Sequence, residues 1–266
     1  MNRQPLVLKL SFLILPLLAW ATTATEAHSQ TPPSVNPVDP AAIKIIKAMG
    51  ERLQAAKTFS FTATTAYESP SRIGPPLVYF SSSQVLVQRP NNLRVITTAD
   101  GPKSEFYYNG KTMVAFAPNE NLVAVAAAPN NLDSALKEAY QKASIYFPFT
   151  DFIVSNPHED LIKELKFAFV VGQSQVVGGT ATDIVAMGND QIFAQVWIGT
   201  EDHLPRALRA VYRNDPSRLR HQVEFSNWLI NPPVTATMFT PTNTAKALKI
   251  PFASPVILNP PKPSNK

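Results

Sequence analysis

The sequence predicts an α+β fold: two runs of antiparallel strands, about 11 in all, separated by short helices and preceded by a helix that lies on the sheet. Three observations predict it. Apolar residues recur at a helical spacing up to Lys57 and then alternate strictly from Thr58. Turn signals punctuate the chain closely as far as Ala127, and a second alternating run begins at Phe167.

Met1 to about Ala27 has the layout of a secretory signal peptide. Arg3 and Lys9 form a basic n-region, Leu10 to Leu18 an apolar h-region, and Ala21 to Ala27 offers small residues for cleavage after Ala24 or Ala27. Lys9 and Pro16 interrupt a run already shorter than the roughly 20 residues of a membrane span. The expectation is a soluble, exported protein in the periplasm. Residues 28–38 form a Pro-rich linker, 39–252 the folded domain, and 253–266 a Pro-rich, disordered tail.

Asp39 is the expected N-cap of the first helix, and Pro40 suits its first turn, where a missing N–H costs nothing. Ile43, Ile46, Met49 and Leu53 place an apolar stripe along it to about Lys57. Phe59, Phe61, Ala63 and Thr65 then alternate with Ser60, Thr62 and Thr64, the pattern of a strand with one buried face. A long second strand runs from Leu77 to Gln88. Val85, Val87 and Arg89 share one parity, so the arginine follows the valines inward.

At Arg89-Pro90-Asn91-Asn92 the proline ends the ladder and forces a turn. Strands follow at Leu93 to Thr98, Ser104 to Tyr108, Lys111 to Ala117 and Leu122 to Ala127. Asn109-Gly110 suits a two-residue type I′ turn, and Pro118 to Asn121 makes the next reversal. Asn131 or Asp133 caps a helix through Tyr140, and a short helix runs from His158 or Glu159 to Leu165. The aromatic connection between them, Tyr146 to Phe152, is expected to be buried.

The second run places strands at Phe167 to Val177, Thr180 to Gly188, Gln191 to Gly199, Leu204 to Arg213 and Leu219 to Trp228. Gly178-Gly179 and Asn189-Asp190 are tight joints. Leu208, Ala210 and Tyr212 form one face, as do His221, Val223 and Phe225. Leu248 to Phe252 is expected to dock on the body.

Composition excludes several functions. The chain has no cysteine, so disulfides, thiolate metal sites, cysteine nucleophiles and a lipidated N-terminal cysteine are ruled out. The formal net charge of +5 is scattered, without a block of like charges, and carries no nucleic-acid footprint. Gly110-Lys111-Thr112 imitates the end of a phosphate-binding loop, but its required earlier glycine falls at Glu105. No Gly-x-Ser-x-Gly elbow occurs, and the four histidines form no metal-binding spacing. His221 reads as a hydrogen-bonded core histidine, and Glu159 and Asp160 as first-turn charges favoured by the helix macrodipole. The sequence therefore reads as non-enzymatic, with no cofactor and no metal.

Three short stretches carry a family resemblance: Val87-Gln88-Arg89-Pro90-Asn91 ending a strand, the Asn109-Gly110-Lys111-Thr112 hairpin, and Met238-Phe239-Thr240-Pro241. With the element order, they resemble the periplasmic lipoprotein carrier and lipoprotein receptor (LolA and LolB). The whole mature chain is similar to a family of predicted periplasmic proteins of the same superfamily (DUF2092). The resemblance implies an unclosed antiparallel half-barrel with helices covering its concave face. It also implies that Arg89 occupies the place of an arginine that holds the helical lid over an empty cavity. Arg89 is thus a lid latch, a contact for an anionic head group, or a solvated strand-end residue.

The apolar faces, namely Phe59, Phe61, Val85, Val87, Leu208, Tyr212, Val223 and Phe225, line a cavity for acyl chains or pack as an ordinary core; sequence separates neither. The functional expectation is a periplasmic binding or carrier protein for a lipid, lipidated or other hydrophobic ligand. The alternative is a sensor or protein-interaction module using the same fold without lipid cargo. The partners expected are accordingly a hydrophobic ligand or lipoprotein, or a periplasmic or membrane-associated protein, with no nucleic acid.

Overall fold

A computed structural model describes residues 37–254; the leader, most of the linker and the last residues of the tail, with the expectations that fall on them, lie outside the described residues. Helix α1 (Pro40–Ala55) starts as its sequence requires, with the Asp39 carboxylate accepting from Ala41 N at 2.8 Å. Its buried stripe is Ala42, Ile46, Met49 and Leu53, with Ile43 half-buried. Gly50 is buried mid-helix because a Cβ there would lie 2.3 Å from the Cβ of His158, so a later helix can approach only if this position is glycine.

Six strands follow: β1 (Thr58–Ser69), β2 (Leu77–Gln88), β3 (Asn92–Ala99), β4 (Ser104–Tyr108), β5 (Thr112–Ala117) and β6 (Leu122–Ala127). Helices α2 (Leu132–Ala143), α3 (Thr150–Ile153) and α4 (Pro157–Lys163) then interrupt the sheet. The second run is β7 (Phe167–Ser174), β8 (Thr182–Gly188), β9 (Ile192–Gly199), β10 (Pro205–Tyr212) and β11 (Arg220–Ile230), and β12 (Leu248–Ile250) closes the order.

All the strands join one sheet in the order β12-β6-β5-β4-β3-β2-β1-β11-β10-β9-β8-β7. The two meanders meet where β1 pairs antiparallel with β11, setting Thr65 opposite Val223 and Ala63 opposite Phe225. The sheet does not close, since β7 and β12 remain at opposite ends. The helices share one buried core with one face of this sheet: Ile46 and Met49 of α1, Leu132 and Ala139 of α2 and Phe152 of α3 pack in the same cluster as Phe61, Val87 and Val196. The fold is thus the expected α+β unclosed half-barrel with helices over one face.

Four local expectations need correction. The Asn109-Gly110 turn is not type I′, because only Gly110 takes positive φ, at +81°. Asn109 instead uses its side-chain carbonyl to accept from Lys111 N and Thr112 N, which removes its need for a left-handed backbone. Asn189 repeats the device in the second run, accepting from Gln191 N and Ile192 N. The tail does more than dock: Leu248 to Ile250 pair parallel with Leu122 to Ala124 as a twelfth strand. The aromatic connection contains its own short helix, α3, and Tyr146 within it is half exposed while Phe147, Phe149 and Phe152 are buried.

Asn227 breaks the alternation of β11. It adopts φ +55° at a bulge where Thr62 pairs with Ser226 but Ser60 pairs with Leu229. Simple parity would send Trp228 away from Phe225. The extra residue turns it onto the same face, with its ring 4.5 Å from that of Phe61.

Candidate functional site

The lid is fixed before it reaches the cleft. Asn131 caps α2 by accepting from Ser134 N at 2.8 Å, and Leu132 N donates to Pro90 O at 3.1 Å, so α2 starts on the β2–β3 turn. Asp133, the other cap candidate, instead accepts from Ser155 N and Oγ at 2.9 and 3.1 Å. That contact ties the start of α2 to the segment between α3 and α4. Ser144 ends α2 in the left-handed region, its N–H shared by Ala139 O and Tyr140 O.

Between this lid and strands β8–β11 lies an open cleft of about 850 Å³. Its floor is Met187, Ile192, Ala194, Leu208, Ala210, Tyr212 and His221; its roof includes Leu136, Ile145, Phe147, Phe152, Leu161 and Leu165. Tyr140 and Tyr146, at 60% and 54% exposure, stand where the cleft meets solvent. Polar groups come from both sides: Asp133, Lys137, Thr150, Asp151, Asp160 and Glu164 from the lid, and Asn189, Tyr212 and His221 from the sheet.

The sequence-derived lining residues divide in two. Leu208 and Tyr212 line the cleft, and His221, read as a core histidine, lines it beside them. Phe59, Phe61, Val85, Val87, Val223 and Phe225 are all buried in the packed core next to it. Their space is filled by aromatic rings. Phe149 drops edge-on to Phe61 at 5.5 Å between centroids, Phe225 meets Phe61 at 5.7 Å, and Phe152 meets Phe225 at 5.1 Å. The open volume therefore lies under α2–α4 but to one side of the sheet's centre.

Arg89 turns inward, as its parity requires. Its guanidinium lies over the ring of Phe59, 5.4 Å from the centroid, while Nε and Nη2 are buried without a hydrogen-bond partner. Burial pushes its pKa down, and the nearby carboxylate of Asp133 on α2 opposes that shift. The arginine thus faces the lid through charge, with no hydrogen bond made to it.

A polar string marks one end of the cleft. The Tyr212 hydroxyl lies 3.1 Å from His221 Nδ1, and the Tyr146 hydroxyl interacts with that of Tyr212. Burial at the hydroxyl end, where Tyr146 meets Tyr212 and leaves its ring edge exposed, pushes both tyrosines up, and burial pushes His221 down. The Asp151 carboxyl is held above its ordinary value, first by the lid atoms that crowd it and then by the charge of Asp160, although the residue keeps an exposed edge. No carboxylate is bonded to the His221 ring among the described residues, and no three metal-ligating side chains converge there. The Tyr212 hydroxyl is the group placed on the histidine, and the string fixes the orientation of all three side chains.

The lid residues of the cleft are not separable by sequence. The aromatic density of Tyr146 to Phe152 signals burial, but their partners lie on β1, β4 and β8–β11, far along the chain. Nothing local to the segment states which rings fill the core and which line open space.

Comparison with known proteins adds the following. A family model described as predicted periplasmic protein (DUF2092) matches residues 42–253. No curated protein matches the chain by sequence. Among solved structures, an uncharacterized conserved protein from Thermus thermophilus is similar at 10% identity and a TM-score of 0.44, over 79% of this chain and 99% of that one. The MucA/MucB complex of Pseudomonas aeruginosa gives 13% identity and 0.44, over 79% of this chain and 64% of that one. A LolA superfamily protein from Nitrosomonas europaea gives 10% and 0.34, over 75% and 97%. Among the described residues no helix is long and apolar enough to cross a membrane.

Proposed function

Given that the chain belongs to the DUF2092 family of predicted periplasmic proteins, we propose that it is a periplasmic binding or carrier protein that holds a lipid, lipidated or other hydrophobic ligand under its helical lid. The observation that carries this reading is the cleft of about 850 Å³ beneath residues 131–165, whose floor is mainly aliphatic, with Tyr212 and His221 at one end, and whose roof combines aliphatic and aromatic side chains with charged groups of α2–α4. Sites for small apolar ligands typically enclose ~300–1,000 Å³ and are lined in this way, with a few polar groups to orient the ligand. Tyr146, Tyr212 and His221 are the orienting groups here. Leu208, Ala210 and Leu136 supply apolar contact.

The test is native mass spectrometry of exported protein purified without detergent, followed by displacement of a fluorescent fatty acid. Copurified lipid, or displacement that Ala210→Trp abolishes, supports the reading. A chain that carries no lipid and takes up no probe refutes it.

A second reading rests on a separate observation: Phe149 and its neighbours close the centre of the half-barrel, where the other expected lining residues lie. A fold with a solid centre serves equally as a scaffold for a protein partner. Cross-linking in the periplasm separates the two, because a stoichiometric protein partner retained by Ala210→Trp favours the scaffold.

A further inference from the structure

Strands β1 and β2 run on past both of their neighbours. On one side β11 begins at Arg220, and its pairing with β1 ends with Tyr67 opposite His221. On the other side β3 ends at Ala99, opposite Ser81. Beyond these points Glu68 pairs only with Val78 and Ser69 only with Leu77, and residues 70–76 form the connecting loop. The base of the projection is braced by Glu68, whose carboxylate accepts from Arg220 N at 2.9 Å and bridges its guanidinium. Arg220 in turn holds the Glu68 carboxyl below its ordinary range.

This ribbon is apolar on both faces. Tyr67, Leu77 and Tyr79 share the parity of the core-facing strand positions, while Val78 and Phe80 point the other way. Leu77, Val78 and Phe80 are each about half exposed, and Ile73 at the tip is 98% exposed. A ribbon lying on a folded surface needs one apolar face. One that is apolar on both faces and at its tip needs surroundings that enclose it.

The loop is also poor in free backbone donors. Pro70, Pro75 and Pro76 carry no N–H. The Ser71 hydroxyl accepts from Gly74 N at 3.0 Å and donates to Gly74 O at 2.9 Å. Three of the seven loop residues thus bring no N–H, and Gly74 N is already satisfied, which lowers the desolvation cost of entering the polar–apolar interface of a bilayer and leaves fewer donors for a partner strand. Arg72 at the tip and Arg218 on the adjoining β10–β11 turn are exposed cations; Asp215 and Asp100 keep their charge but are tied back to the turn and the strand base by Ser217 N and Phe80 N, which leaves Arg72 as the charge at the tip.

We propose that the β1–β2 hairpin, residues 67–80, is a membrane-contact element that seats Ile73, Leu77, Val78 and Phe80 in the interface of an anionic lipid bilayer. Arg72 and Arg218 then lie at head-group level. The hairpin stands at the same end of the sheet as His221 in the cleft, which Tyr67 faces across the β1–β11 pairing. The proposal does not depend on the cleft being loaded.

The test is flotation of the exported protein with vesicles of phosphatidylethanolamine and phosphatidylglycerol, with phosphatidylcholine vesicles as the uncharged comparison. The wild-type chain is expected to float with the anionic vesicles, less so as salt is raised. Because these side chains are exposed, Ile73→Glu with Phe80→Glu is expected to leave the fold intact, as circular dichroism will check. It is expected to lower the bound fraction at least about tenfold. Ala210→Trp, which blocks the cleft, is expected to float like the wild type, so failure of the ligand reading and failure of this one are distinguishable. Absence of vesicle binding by the wild type, unchanged binding by the double variant, or a hairpin-dependent complex with a protein in place of lipid overturns the proposal.

Discussion

The Arg89 guanidinium covers the ring of Phe59 at 5.4 Å, a largely buried cation resting on a buried aromatic with Asp133 of the lid as a compensating charge. Two effects oppose each other there. Two buried N–H-bearing nitrogens without a partner cost about 1–3 kcal/mol each, and the ring and the Asp133 carboxylate return about 1–2 kcal/mol. The cost outweighs the return, so Arg89→Met is expected to stabilise the fold by about 1–4 kcal/mol. Arg89→Glu, which sets a second acid beside Asp133, is expected to cost about 3 kcal/mol. Urea denaturation of the two variants checks the difference.

Phe149 is the lid's knob in the core, edge-on to Phe61 at 5.5 Å and stacked on Phe147 at 5.6 Å. Phe149→Ala removes the ring and leaves a cavity, at an expected cost of about 3–5 kcal/mol. Because the ring belongs to the lid and its partners to the sheet, limited proteolysis should accelerate first between residues 144 and 156, with the β-sheet circular dichroism signal retained. Simultaneous loss of both would mean that lid and sheet unfold as one unit.

Val87 and Ala210 are both buried sheet residues and are expected to respond in different ways. Val87 has no exposure and lies in the packed core, so Val87→Asp should cost about 3 kcal/mol or more and prevent folding without reporting on ligand binding. Ala210 floors the cleft, so Ala210→Trp has open volume to enter. It should keep the fold and weaken fatty-acid displacement at least about tenfold. Thermal melts and displacement titrations on the pair measure this.

His221 gives stability a pH dependence. Burial lowers its pKa below the ordinary value of 6.5, so just below that pH the unfolded chain binds a proton that the folded chain refuses. Stability from this residue is full above 6.5 and falls as pH drops through it, by at most about 1.4 kcal/mol per pH unit for one proton. Asp151 acts in the opposite sense. Its raised pKa favours the folded state at acid pH, a contribution lost as pH rises from 3.8 through the folded value and kept small by solvent at its exposed edge. His221→Gln is expected to flatten the melting-temperature profile between about pH 7 and about pH 5. An unchanged profile would place the titration elsewhere.

Much of the architecture is legible because strands carry their instructions locally. Alternation at Phe59, Phe61 and Ala63 names the buried face of β1, Pro90 ends β2, and the Asn-containing joints at 109 and 189 mark two hairpins. The turn at Asn109 departs from type I′ because an asparagine side chain can replace the backbone geometry that the Asn-Gly pair suggests. Trp228 changes faces because a bulge at Asn227 shifts parity by one, and no feature of the neighbouring residues announces a bulge. The twelfth strand is not legible because Leu248 to Ile250 is short and pairs with β6, more than a hundred residues earlier.

By itself the sequence determined the inward face of the regular strand stretches, Arg89 included and Trp228 beyond its bulge excepted, since inward direction follows from a two-residue period that each strand carries within itself. Only the tertiary structure decided which of them face open volume. Phe61 and Leu208 present the same apolar signature, yet Phe149 fills the space above one while the space above the other stays open. The physical reason is that a cavity belongs to no residue: it is the volume that side chains from distant segments fail to fill, and that failure is set by how lid and sheet meet.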